Sequence, residues 1–170
     1  TGPAGQGSVV KVDPVRHIAN EGGVCVVDLS GGSTAELVTG LHACALAVSP
    51  DGRFVVVANA GQDSLTVLDA KNLAVAATLW PKPNPADLLG ATPNAFAFSP
   101  DGKTLWVANG TQNAVAVMRF DPSKGTGAFQ GLVPVGWFPG AIVVDSARKQ
   151  LVVANIKGMQ GEARPAGRGF

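Results

Sequence analysis

The chain contains two histidines, His17 and His42, and His42 stands at the head of the apolar run Ala43-Cys-Ala-Leu46, a position where an imidazole could act as general base or metal ligand. A divalent metal would need several Asp, Glu, Asn or His side chains to converge on it. Only Asn94 and Asp63 are spaced to join His42, and a structural, hydrogen-bonded histidine is the simpler alternative. The triplet Val-Ala-Asn occurs three times and ends in Asn59, Asn109 and Asn155. An Asn there can cap its own turn or meet a ligand. Trp137-Phe138-Pro139 offers aromatic surface to a protein or a carbohydrate, or packs between layers. With Lys157, these residues form the candidate ligand or partner face: His42, Asn59, Asp63, Asn94, Asn109, Trp137, Phe138, Asn155 and Lys157. No catalytic residue, metal ligand or cofactor is assigned.

Other chemistries lack their residues. Gly31-Gly-Ser-Thr-Ala35 only grazes the Gly-x-Ser-x-Gly elbow, and the chain has no phosphate-cradling Gly-rich loop and no Cys-x-x-Cys. Asn109-Gly-Thr111 is a formal glycosylation acceptor that its turn explains equally well. The 13 basic and 12 acidic side chains leave a net charge of +1, so nothing draws nucleic acid over a broad surface. No apolar run approaches the roughly 18 residues of a spanning helix. Cys25 and Cys44 sit within apolar runs and read as buried thiols or as a bridge between neighbouring sheets.

The elements that must position these residues repeat. Ser49-Pro-Asp-Gly-Arg-Phe-Val-Val-Val-Ala-Asn59 returns as Ser99-Pro-Asp-Gly-Lys-Thr-Leu-Trp-Val-Ala-Asn109 and, eroded, as Asp145-Ser-Ala-Arg-Lys-Gln-Leu-Val-Val-Ala-Asn155. The Asn positions are separated by 109−59=50 and 155−109=46 residues, a period proper to β-propeller blades. Ser-Pro-Asp-Gly supplies an acceptor, a pre-set φ and a residue free to take positive φ, which is the chemistry of a tight type I turn. The runs on either side are continuously apolar, as in strands covered on both faces. The expected fold is therefore all-β, a propeller of four-stranded antiparallel blades. Its 46% hydrophobic content with 22 Gly and 12 Pro suits many short strands joined by turns.

The repeat places blade 1 at about 9–40, blade 2 at about 43–80, blade 3 at about 94–136 and an incomplete blade 4 at about 139–157, followed by an exposed loop or tail at 158–170. Residues 1–8 read as a flexible arm. Arg16-His-Ile-Ala-Asn20 matches the end of a second strand. Ser33-Thr-Ala-Glu36 imitates a helix capping box, but the repeat demands a strand there. Asn84-Pro-Ala-Asp-Leu-Leu-Gly90 suits one helical turn between blades.

Ser-Pro-Asp-Gly-Lys-x-Leu-x-Val-Ala-Asn followed by a Val-x-Val-x-Asp-like strand resembles the YVTN-repeat (YncE-like) seven-bladed propellers of bacteria over roughly residues 17–158. Val135-Gly-Trp-Phe-Pro139 with Val153-Ala-Asn-Ile-Lys-Gly158 resembles the propeller of extracytoplasmic fusion proteins that carry an alkaline-phosphatase-type phosphoesterase domain. That resemblance implies a periplasmic or extracellular protein whose metal ligands and nucleophile belong to a different domain. About three and a half blades cannot close a ring of four to eight. The remaining blades are accordingly expected on a missing segment, a companion chain or a symmetry mate. The leading expectation is a non-catalytic binding or scaffold module, with a protein partner. The alternatives are the propeller portion of a phosphoesterase and a lactonase-like propeller hydrolase.

Overall fold

The computed structural model describes residues 12–32 and 34–159, with the backbone alone of 2–3 and 9–10. Among the described residues every regular element is a strand. β1 (Gly2–Pro3) pairs with β2 (Val9–Val10), so part of the expected N-terminal arm is strand. The rest of that arm, and the tail beyond Met159, lie outside the described residues.

Two complete four-stranded antiparallel sheets form the centre. The first runs β5 (Ala43–Val48), β6 (Phe54–Asn59), β7 (Ser64–Asp69), β8 (Val75–Leu79) in spatial order. The second runs β9 (Pro93–Phe98), β10 (Thr104–Asn109), β11 (Ala114–Asp121), β12 (Thr126–Pro134). Each is flanked by a two-stranded sheet: β3 (Gly22–Val27) with β4 (Thr34–Thr39) before, and β13 (Pro139–Asp145) with β14 (Gln150–Asn155) after. This is part of a propeller.

The repeat fixes its turns by the same atoms in both copies. Gly52 N–H donates to Ser49 O at 2.8 Å and Gly102 N–H to Ser99 O at 2.9 Å, with φ of +74° and +69° at the two glycines. Ser49 Oγ donates to Asp51 Oδ1 at 2.6 Å and accepts from Phe54 N–H, and Ser99 treats Asp101 and Thr104 alike. The core lies between the two complete sheets. Phe54, Val56, Ala58, Leu65 and Val67 face Leu105, Val107, Ala116, Met118 and Phe120, all at most 3% exposed. Burying side chains of this size is worth about 1.5–3 kcal/mol each, which makes this interface the main source of stability.

Several expectations need correction. Residues 34–39 form a strand, as the repeat demanded, but 84–90 is not helical. Asn84 Oδ1 takes the N–H of Ala86, and Asn84 O that of Asp87, in a single Asx turn, while Gly90 N–H is captured by Asp63. Arg16–Asn20 is not a strand either: Val12 and Ala19 share one isolated bridge around a turn in which Asp13 Oδ1 accepts the N–H groups of Val15 and Arg16. Cys25 and Cys44 are both free and exposed rather than buried or bridged. The Cys44 thiol itself is part-buried, with its Sγ against Ala58 O and Pro93 O.

Candidate functional site

The loops joining second to third strands and those joining one sheet to the next meet on one face. Ala60 N–H donates to His42 O at 3.0 Å, Gly110 N–H to Thr92 O at 3.0 Å and Ile156 N–H to Phe138 O at 2.9 Å. His42, Thr92 and Phe138 thus occupy one repeat position, and each takes a left-handed backbone, with φ of +59°, +51° and +55°. Such a φ is strained for a residue with a Cβ, and it persists because the flanking hydrogen bonds define the turn.

The candidate residues divide into those that reach this surface and those absorbed beneath it. Asn59 and Asn109 are fully buried. Asn59 Nδ2 donates to Ser64 Oγ and Thr66 Oγ1, while Asn109 Nδ2 donates to Pro81 O at 2.7 Å and to Gln112 Oε1. The left-handed residue of each loop is not the Asn itself but the one four positions on, Asp63 and Asn113. Asn155 and Asn94 are half-buried, and Asn155 Nδ2 contacts Met159 Sδ. The Oδ1 atoms of Asn59, Asn94, Asn109 and Asn155 are buried and have no hydrogen-bond partner among the described residues. Asn109, at 0% exposure, leaves no room for a sugar.

Asp63 is a staple between sheets. Its Oδ2 accepts Gly90 N–H at 2.7 Å and its Oδ1 accepts Thr92 N–H at 2.9 Å, with Lys82 Nζ 3.6 Å away. Burial alone would raise the Asp63 pKa, but the N–H groups of Thr92, Ala91 and Gly90 together with the Lys82 ammonium outweigh it and hold the carboxyl below its usual range. Asn113 repeats the staple one sheet on, its Oδ1 accepting Phe138 N–H at 2.9 Å. Sequence reasoning did not single out Lys82, whose Nζ also donates to Asp87 O. Its position between Pro81 and Pro83 was the only local signal.

His42, Trp137 and Lys157 remain exposed, and the Lys157 ammonium sits 5.1 Å from the centre of the half-buried Phe138 ring. His42 lines a cleft of about 470 Å³ together with Glu21, Leu41 and Gly61. Trp137, Ile156 and Met159 are 49%, 70% and 75% exposed. Among the described residues no group of three or more His, Cys, Asp or Glu is placed to hold a metal ion, and no helix is long and apolar enough to cross a membrane.

Sheet order, twin turns and stapled loops define a β-propeller built from four-stranded blades. The family model for the lactonase seven-bladed β-propeller matches residues 26–126 and 82–160, and the chain belongs to that family. No curated protein matches the chain. Among solved structures it is similar to a Lactobacillus plantarum protein, with 22% identity and a TM-score of 0.64 over 81% of this chain and 42% of that one. It is also similar to a Bacteroides uniformis protein proposed as a 6-phosphogluconolactonase, at 21% identity and a TM-score of 0.62 over 81% and 42% of the two chains. A third similar structure is the Pseudomonas aeruginosa periplasmic gluconolactonase, at 23% identity and a TM-score of 0.55 over 79% and 36%. The chain therefore spans roughly two fifths of the length of the structures it matches.

Proposed function

We propose that the protein is a lactonase-type propeller portion that takes a sugar-acid lactone at the loop face and opens it with water. The observation carrying this reading is the cleft that His42 and Glu21 both line, on the face where the loops converge. Water adds to the lactone carbonyl, the ring C–O bond breaks, and the proton lost by water ends on the released hydroxyl. An imidazole within reach can move that proton in both directions. His42, an exposed imidazole lining that cleft, is assigned that role.

The test is hydrolysis of δ-gluconolactone by the purified chain, measured above the spontaneous rate. His42→Asn keeps the left-handed backbone accessible and is expected to lower the enzymatic rate by about 10²-fold or more. A folded His42→Asn protein with the full rate would remove His42 from the reaction. A folded parent without any acceleration would sink the hydrolase reading.

A non-catalytic binding module is the second reading, favoured by the exposure of the large apolar side chains Trp137, Ile156 and Met159 while Asp63, Asn59 and Asn109 spend their polar groups internally. A protein partner that covers these side chains is its expectation. An extracytoplasmic location is supported by similarity to the P. aeruginosa periplasmic gluconolactonase. A phosphoesterase domain in the same polypeptide, and membership of the YVTN-repeat group, rest on the repeat resemblance, and sequencing the source gene beyond Phe170 tests both.

A further inference from the structure

His42, Thr92 and Phe138 share one repeat position with a left-handed backbone, and Thr92 is the residue least suited to it. A β-branched side chain at φ +51° is an outlier, and Pro93, which follows it, favours an extended predecessor instead. Glycine would adopt this backbone freely. The bonds that define the turn come from the main chain: Thr92 N–H donates to Asp63 Oδ1, and Thr92 O accepts from Gly110 N–H. The threonine side chain enters neither bond, so what the strain secures is the position of a hydroxyl.

That hydroxyl belongs to a short relay. Thr111 Oγ1 donates its one hydrogen to Gly90 O, so the 2.8 Å bond between the two threonine hydroxyls runs from Thr92 Oγ1 to Thr111 Oγ1. Both hydrogens are then spent, and the pair, exposed on the loop face, turns only lone pairs outward. Such acceptors meet the O–H donors of a polyol and disfavour an ionised phosphate, which has no hydrogen to give. Among the described residues of the surrounding loops, at 60–63, 80–91 and 110–113, the one cationic side chain is Lys82, and it is buried against Asp63.

His42 and Thr92 immediately precede β5 and β9, the first strands of the two complete sheets, which are in contact. One four-residue loop holds both. Ala60 N–H donates to His42 O at one end, and Asp63 accepts Thr92 N–H at the other. We propose that Thr92 and Thr111 form a hydroxyl-binding subsite that selects an unphosphorylated sugar-acid lactone, accepting hydrogen bonds from its hydroxyl groups on the face where His42 acts. The subsite rests on the hydrolase reading for its reaction and adds the residues that choose the substrate.

Thr111→Val removes a hydroxyl at nearly constant shape. It is expected to raise the KM for δ-gluconolactone about 3–10-fold, the worth of one hydrogen bond, with kcat little changed, and to weaken the binding of D-gluconate in an NMR titration by a similar factor. Thr92→Gly should do the same while melting no lower than the parent, because it relieves the left-handed backbone. The KM for 6-phospho-δ-gluconolactone should exceed that for δ-gluconolactone. Unchanged gluconate affinity in both variants overturns the subsite, as does a Thr92→Gly protein that melts well below the parent. An equal or lower KM for the phosphorylated lactone overturns the selection. In the unaltered chain gluconate should shift the amide signals of Thr92 and Thr111, and signals that stay unmoved overturn the proposal without any substitution. A parent that binds gluconate through these residues yet does not speed hydrolysis sinks the hydrolase reading and leaves the subsite standing, whereas hydrolysis at the same KM in parent and both variants sinks the subsite alone.

Discussion

Asp63 and Lys82 stand 3.6 Å apart with both side chains only 2% exposed, so one ion pair is sealed beneath the loop that carries the chain from the first complete sheet to the second. Neither group touches the loop face directly. Their work is to hold Gly90 and Thr92, and with them the start of β9, against the preceding sheet.

Removing one partner leaves a buried charge uncompensated, which costs about 3–5 kcal/mol. Asp63→Ala is therefore expected to destabilise strongly. The double variant Asp63→Ala/Lys82→Met should recover part of that loss, because no isolated ammonium remains. Urea unfolding of the single and double variants measures the coupling, and strictly additive losses would contradict a sealed pair.

Acid should weaken the fold through the same residue. The folded Asp63 carboxyl titrates below its unfolded value of about 3.9, so its stabilisation is complete above that pH and disappears as pH falls through the lower folded value. Asp51 and Asp101 share the sign: hydrogen bonds from Ser49 and Ser99 hold their carboxyls low. Unfolding midpoints should be flat from pH 7 to about 5 and drop below about 4, with a shallower drop in Asp63→Asn. Equal slopes in both proteins would remove Asp63 from the account.

The glycines separate backbone strain from crowding. A Cβ on Gly52 would meet nothing within 4 Å, so Gly52→Ala incurs only the left-handed penalty of about 1–2 kcal/mol. Gly125, at φ +68°, would place its Cβ 2.5 Å from the Phe54 ring. Gly125→Ala should accordingly cost more than Gly52→Ala in a thermal melt, and the reverse order would mean that the Phe54 ring moves freely.

The thiols should differ in reactivity. Burial pushes the Cys44 thiol up, and its Sγ contacts Pro93 O at 3.4 Å. Iodoacetamide at pH 8 is expected to label Cys25 ahead of Cys44, as read by peptide mass spectrometry. Faster labelling of Cys44 would contradict the packing around β5.

A further turn device is legible in the residues. Asp13, Asp28, Asp69, Asp121 and Asp145 each precede by four positions a residue with positive φ: His17, Gly32, Leu73, Gly125 and Lys149. In four of these turns the N–H of that later residue returns to the Asp carbonyl, and in all five the Asp Oδ1 accepts a nearby N–H. Each is a local hydrogen-bonded turn, and the recurring Asp was its signal.

Strands, tight turns and blade period were determined by the chain alone, since each depends on residues a few positions apart: Ser49 with Phe54, or Asp69 with Leu73. Which polar groups stay at the surface was decided only by tertiary packing. Asp63 finds its partners 27 and 29 residues away, and Asn109 reaches back to Pro81, so their desolvation depends on segments that local sequence does not specify. His42 and Lys157 stay on the open face for the complementary reason: neighbouring loops satisfy the backbone around them and leave their side chains to solvent.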